Sequence, residues 1–388
     1  MSLTIHIPAP DWNSDLARTI LDLEKLRTQI RHSEVPPYIF FQLKEIFQIM
    51  ETLGSARIEG NNTTLTEYVE RIIEKSEIHD EGRQELENLE KGIRFIEQNT
   101  DEDTRIDRAY ISQLHRILVN NLTPPPDGEG SRYPGALRKQ DVTITKSRHV
   151  PPSIPVLQEH FDRFIDFINQ PYAEQNQLLM VAVAHHRFMY IHPFDNGNGR
   201  MGRLLTYAFL IKLGFNVKAG RIINPSSVFY TDRDKYYGML GAADSLRGED
   251  LLSWAKYFLL GLKNQIEKID RLMQRDYTRD KVLIPSLRIA LDRQHITQQE
   301  CDILLHIVRS EGMSMKSAEL DKFGIQGSQQ KSYIMQKLRD KGMVRPIAEG
   351  GRTYTIQFAN NYLLRSVIRT LEANGFVADF LNRNDIRA

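Results

Sequence analysis

The run Ile191-His-Pro-Phe-Asp-Asn-Gly-Asn-Gly-Arg-Met-Gly-Arg203 gathers a proton acceptor, a tight turn and two guanidinium groups. A neutral imidazole at His192 can take the proton from an incoming hydroxyl. Gly197 and Gly199 let the backbone turn sharply and bring N–H groups close to a ligand. Pro193 ends one helical segment and another begins directly after the glycines, so free N–H groups of a helix start face the same concavity. Arg200 and Arg203 are three apart and share a face of that first turn. Each cation there opposes the helix dipole by roughly 0.3–1 kcal/mol. A phosphate group removes the conflict, because guanidinium grips its oxygens in a fork. The bland alternative is an interhelical turn with a surface histidine and solvated arginines. The combination points instead to chemistry on a phosphate, with a hydroxyl as acceptor.

The elements that must position this turn are helical. Apolar residues Phe40, Leu43, Ile46, Phe47, Met50 and Leu53 recur at three and four, which predicts a helix from Ile39 to about Glu59. Gly60-Asn61-Asn62 stops it. Glu59 then lies in the last turn, where the dipole disfavours an anion; alone, it reads as a solvated acid beside Arg57. Further helices are predicted near 15–31, 66–74, 81–98, 107–118, 156–169, 174–190, 200–213, 233–244 and 250–274. Thr123-Pro-Pro-Pro-Asp-Gly-Glu-Gly is a loop, and the alternation from Asp141 predicts a short strand or hairpin that His149-Val-Pro-Pro closes. His185 and the apolar residues of its helix read as core.

Composition bounds the rest. The chain has 388 residues, a formal net charge of +1, 41% hydrophobic and 26% charged residues. That is soluble globular material with enough apolar content for a core, in two or three domains. One cysteine, Cys301, excludes an internal disulfide and a cysteine-rich zinc site. No apolar run is long enough for a membrane span. The first residues lack a basic segment followed by an apolar one, so a cytoplasmic protein is expected. Near-zero net charge argues against strong global attraction to nucleic acid.

The glycine–arginine run resembles the Fic family motif, H-P-F-x-D/E-G-N-G-R-x-x-R, as H-P-F-D-N-G-N-G-R-M-G-R. The preceding Ala184-His185-His-Arg-Phe188-Met-Tyr-Ile191 is also similar to the helix leading into that motif. The wider resemblance covers roughly residues 40–265 and includes Gly135-Ala-Leu-Arg138 and Pro151-Pro152. It implies transfer of a nucleotide monophosphate, usually AMP from ATP with Mg²⁺, onto a hydroxyl of a target protein or of the chain itself. On that resemblance His192 is the base and Phe194 packs under the loop. Gly197, Asn198 and Gly199 form the anion hole. Arg200 holds the outer phosphates and Arg203 reaches the γ-phosphate. The acidic metal ligand of the family falls at Asn196, an uncharged amide that should hold metal more weakly. Ser55 to Gly60 resembles the family's inhibitory motif, S/T-x-x-x-E-G/N, which implies that Glu59 pairs with Arg203 and blocks productive ATP binding. The segment Val142 to Pro152 resembles the flap over the site, with Ile144, Thr145, Lys146 and Ser147 nearest the nucleotide and an exposed edge for an extended target segment. Tyr236 and Tyr237 resemble residues beside the adenine.

The expected architecture is therefore mostly α: an N-terminal helical region (1–100) with an inhibitory helix at about 39–60, a Fic core with a β-hairpin flap (101–275), and a winged helix-turn-helix domain (290–388). For the last, helices are predicted over 299–311, 314–323 and 329–341, then strand, turn and strand, then an amphipathic helix from Asn360 to Ala388. Residues 329–352 carry six lysines and arginines against Asp340 and Glu349. Two readings of this module stay open: DNA binding through its third helix and wing, or protein contacts including a homodimer. The function alternatives are a DNA-binding regulator with a nucleotide-sensing Fic core, and a Fic variant that removes AMP or transfers another group.

Overall fold

A computed structural model describes residues 4–28, 33–74, 80–144, 147–215 and 222–383. The chain begins with α1 (Asp15–Thr28), α2 (Pro37–Ile58), α3 (Leu65–Glu74), α4 (Glu81–Asn99) and α5 (Arg108–Leu118). It continues with α6 (Ile154–Asn169), α7 (Glu174–Ile191), α8 (Asn198–Lys212), α9 (Arg233–Ala243) and α10 (Gly248–Asp270). Pro37 opens α2, where its fixed φ suits the first helical position and its missing N–H is no loss. The antiparallel pair α7 and α8 forms the centre of the core, with the glycine-rich loop between them. Helices α4, α5 and α6 flank that pair on one side, and α10 with α1 closes the other.

Helix α2 differs from the expected one-faced amphipathic helix. Every residue from Ile49 to Ile58 is buried, including Glu51, Ser55 and Arg57. The reason is its position: α4 and α8 lie on one side and the C-terminal elements on the other. One apolar cluster runs from Leu16 to Leu381 and so crosses the expected domain boundaries.

The C-terminal part holds α11 (Ile284–Asp292), α12 (Gln298–Arg309), β1 (Ser314–Lys316), a 3-10 turn (Ser317–Phe323), α13 (Ser328–Asp340), β2 (Val344–Pro346), β3 (Thr353–Ile356) and α14 (Leu363–Ala373). Helix α11 has no counterpart in the sequence expectation; Pro285 sits in its first turn, where a proline is tolerated. The predicted helix 314–323 opens instead as a strand. Met313 turns left-handed at φ +43, and the Ser310 hydroxyl donates to the Ser314 carbonyl at 2.7 Å, which breaks helical phase. The strands pair antiparallel in the order β1-β3-β2, with Met315 opposite Tyr354 and Arg345 opposite Thr355. The predicted tail helix is shorter than expected: Asn374-Gly375 ends it, with Gly375 at φ +74.

The sheet of the described residues thus lies in this C-terminal part. Between Asp141 and Val150 the described residues run without a ladder, and Ser147 N–H donates to the Ile144 carbonyl at 3.1 Å. Thr145 and Lys146 lie outside the described residues.

Gly54 shows how closely α2 is seated. A Cβ there would lie 2.0 Å from Cδ1 of Tyr230. Gly54→Ala therefore overpacks the contact and is expected to lower stability by about 1–3 kcal/mol in urea unfolding. An unchanged unfolding midpoint would contradict this seat.

Candidate functional site

His192 ends α7 in the left-handed conformation, φ 51 and ψ 59. That is a strained state for a non-glycine residue, on the order of 1–3 kcal/mol, and other contacts must hold it. Arg138 supplies them. It is buried, its Nε donates to the His192 carbonyl at 2.9 Å, its Nη1 donates to the Gln140 carbonyl at 3.1 Å, and Nη2 reaches the Pro152 carbonyl. Its backbone N–H donates to the Pro193 carbonyl at 2.9 Å. Burial pushes the His192 pKa down to about 4, so the ring is neutral at pH 7 and able to accept a proton.

The loop after His192 is braced from below. Phe194 is buried and stacks on His115 with ring centroids 3.8 Å apart. His115 accepts from Gly135 N–H at Nδ1 (2.8 Å), so Nε2 carries the proton donated to the Asn196 carbonyl (3.1 Å). Burial lowers its pKa to about 4, which keeps it neutral. The Asn198 side chain makes two hydrogen bonds to the Phe194 backbone, both 2.9 Å. Gly197 then takes φ +77, and α8 begins with no side chain capping its first N–H groups. The N–H of Gly197 itself is taken by the Asn196 side-chain oxygen at 2.7 Å, so the open donors are those of Asn198, Gly199 and Arg200.

Both arginines of this helix start are buried and paired. Arg200 Nη1 donates to Glu85 at 2.8 Å, and Nη2 donates to the Glu129 carboxylate at 2.9 Å and carbonyl at 2.7 Å. Arg203 Nη2 meets Glu59 Oε1 at 2.7 Å and the Ser55 carbonyl at 2.9 Å, while Nε donates to the Ser55 hydroxyl at 2.8 Å. The helix-end carboxylate and the helix-start guanidinium therefore face each other across α2 and α8. Burial raises the Glu59 carboxyl, but Arg203, Arg200 and Arg233 together outweigh it and hold it below the usual range. Glu59 caps α2, and Gly60 beyond it turns away at φ +113.

The pocket fits an anion once Glu59 leaves. Arg203 Nη1 and Arg200 Nε are buried with no hydrogen-bond partner among the described residues. A Cβ on Gly199 would lie 2.0 Å from Glu59 Oε1, so the Glu59 carboxylate rests directly over the glycine backbone. The donor set does not fit a divalent metal. Asn196, the expected ligand, has its oxygen on Gly197 N–H, and its nitrogen faces the Gly128 carbonyl (3.4 Å) and Glu129 (3.5 Å). Asp195 is tied to the Ser131 hydroxyl and to Arg132 N–H at 2.8 Å. Among the described residues no three His, Cys, Asp or Glu gather for a metal.

The two tyrosines separate. Tyr236 is in the core, 3.1 Å from His185 Nε2, and His185 is bonded to Thr206 at 2.7 Å. Only Tyr237 presents a face, with Arg233 5.6 Å from its ring centroid. Adjacent helix positions point about 100° apart, so both cannot face one base. Ile144 is half-buried and Ser147 exposed. Sequence reasoning missed Glu85, Glu129, His115 and Arg138 as partners. Glu85 and His115 carried a signal, since each is a polar residue on the inward stripe of its helix beside Leu86, Leu89, Leu114 and Leu118.

Residues 105–210 match the Fic/DOC family. Curated relatives include the protein adenylyltransferase Fic of Drosophila willistoni, 28% identical over 196 residues, 49% of this chain and 36% of that protein. That of Nematostella vectensis is 29% identical over 199 residues, 49% of this chain and 42% of that one. The match thus spans less than half the length of these relatives. Among solved structures, a Fic family protein from Desulfovibrio desulfuricans G20 aligns with TM-score 0.54 at 18% identity, over 91% of this chain and 98% of that one. A Fic domain containing signaling protein from Bacteroides thetaiotaomicron VPI-5482 aligns with TM-score 0.51 at 18% identity, over 67% and 98%. These likenesses show the fold. Among the described residues no helix is long and apolar enough to cross a membrane.

Glu51 lies on the same face of α2 as Ser55 and Glu59 and accepts from Ser226 N–H at 3.0 and 3.2 Å. Burial pushes its pKa up to about 7. The folded state then keeps a proton that the unfolded chain loses near pH 4.5, so Glu51 costs stability as pH rises from about 4.5 to 7. Urea unfolding at pH 5 and 7.5 should show wild type losing on the order of 3 kcal/mol more than Glu51→Gln across that window. Parallel pH profiles would contradict the burial effect.

Proposed function

We propose that this chain is an autoinhibited protein adenylyltransferase that moves AMP from ATP to a hydroxyl of a target protein or of itself. The observation that carries this reading is the buried Arg203, shared between Ser55 and Glu59, with one guanidinium nitrogen unpaired beside the open N–H groups of α8. In the active state Glu59 swings away and a γ-phosphate takes its seat on Arg203. Arg200 exchanges Glu129 for the neighbouring phosphate oxygens. The α-phosphate then lies at the N–H groups of Asn198, Gly199 and Arg200, which favour the charge that builds there. Tyr237 offers its face to the adenine.

The hydroxyl oxygen attacks the α-phosphorus, the bond from that phosphorus to the bridging oxygen breaks, and pyrophosphate leaves. His192, neutral at the pH of the cell, takes the hydroxyl proton. Arg138 and His115 hold the loop so that this geometry is met without rearrangement. No step here depends on a metal, because the donors around Asn196 are engaged elsewhere. In the structure as it stands Glu59 occupies the phosphate seat, which supports an inhibited resting state.

The C-terminal part is read as a winged helix from its order of helix, strand, 3-10 turn, helix, strand and strand. Half of its six basic groups, the lysines, are paired: Lys331 with Asp321 at 2.7 Å, and Lys341 and Lys337 with Glu300 at 2.6 and 3.4 Å. That favours protein contacts over DNA for this module.

Purified full chain with [α-³²P]ATP tests the proposal. Glu59→Gly is expected to raise self-labelling, and adding His192→Ala to it should cut labelling by roughly 10²–10⁴-fold. Equal labelling of wild type and Glu59→Gly would overturn autoinhibition. Full labelling without His192 would overturn the assigned base.

A further inference from the structure

Arg57 lies inside the inhibitory segment, two residues before Glu59, and is fully buried. No carboxylate pairs with it among the described residues. Its guanidinium instead donates to backbone carbonyls on two sides. Nη1 reaches Asn62 (3.1 Å) and Thr63 (2.6 Å), just beyond the end of α2. Nε reaches Phe380 (3.1 Å) and Nη2 reaches Arg383, both in the segment after α14. The Phe380 ring also covers the guanidinium, 5.4 Å from centroid to Cζ. Phe380 also stacks on Tyr230 at 6.3 Å, and Tyr230 is the ring that lies on Gly54 of α2. Asn382 accepts from the N–H and hydroxyl of Thr66, both at 3.3 Å.

A buried guanidinium is tolerated only while its donors are satisfied. Removing the Phe380 and Arg383 carbonyls leaves two of them bare. With that segment displaced, water reaches Nε and Nη2, and the last turn of α2, which carries Glu59, loses its tie to residues 380–383. The far end of the same helix is tied to the same module, since the buried Gln42 donates to the Ile356 carbonyl (3.1 Å) and accepts from Phe358 N–H (2.7 Å).

We infer that residues 380–383 are a latch on the inhibitory helix: by seating Arg57 they hold Glu59 on Arg203, and their displacement activates the site. This inference rests on the autoinhibition proposed above. It assigns control of the site to the segment that follows α14.

The test uses the full chain. Phe380→Gly and Arg57→Gln are each made alone and in the Glu59→Gly background, then assayed for self-labelling and for hydrogen exchange of residues 50–60. With Glu59 intact, both variants are expected to raise labelling by ~10-fold and to speed exchange in that peptide. In the Glu59→Gly background neither should add more. Unchanged labelling beside an activated Glu59→Gly overturns the latch, as does an equal gain in both backgrounds. If Glu59→Gly itself is not activated, the inhibition reading fails instead. Exchange of residues 50–60 then decides the latch: unchanged exchange in Phe380→Gly overturns it, and faster exchange upholds the clamp on α2.

Discussion

A buried guanidinium at the start of a helix needs an anion, and Arg203 is that guanidinium. Its charge stands where the N–H groups of α8 already make the potential positive. Glu59 answers it, and does so from the end of α2, where the carboxylate is itself disfavoured. Each group is unfavourable on its own helix and favourable against the other. The pair therefore fixes how α2 and α8 meet, and it occupies the space where a phosphate would sit. On the proposed reading, inhibition and substrate binding are two answers to one electrostatic demand.

The surrounding structure supplies the stiffness this exchange requires. The loop between α7 and α8 is fixed by contacts to its backbone: Arg138 on the His192 carbonyl, His115 on the Asn196 carbonyl, and the Asn198 side chain around Phe194. The left-handed His192 is held by these neighbours rather than by local preference. Helix α2, which the proposal reads as inhibitory, is held in contrast by groups that can let go. Glu59 is partly exposed, and Arg57 rests on carbonyls from a distant segment. Rigid machinery with a movable plug is what a switch needs.

Much of this was legible in the sequence because it is local. The His192 to Arg203 run is contiguous, and its glycines, proline and arginines each break a local preference that only a ligand or a partner explains. Glu59 by itself reads as a solvated acid beside Arg57, and its pairing with Arg203 is implied only by the resemblance to the family's inhibitory motif; the helices follow from apolar spacing. What remained hidden depends on distant chain segments. Glu85 and Glu129 reach Arg200 across the fold, and nothing near Arg57 announces that its carbonyl partners come from residues 380 and 383. Nothing in the sequence shows that the Asn196 oxygen is taken by Gly197 N–H. Ser314 to Phe323 has helical spacing, yet its start is strand β1, because the Ser310 hydroxyl and the left turn at Met313 break the helical phase. Tyr236 and Tyr237 are neighbours in sequence but point apart on α9.

The central claim is that the Glu59 carboxylate and a γ-phosphate compete for Arg203. Calorimetric titration of ATP and ADP into wild type and Glu59→Gly tests it most directly, because it reads binding apart from any transfer. Wild type should bind the two nucleotides with similar affinity, and Glu59→Gly should prefer ATP by ~10-fold, about 1.4 kcal/mol. An equal preference for ATP in both proteins would contradict the account.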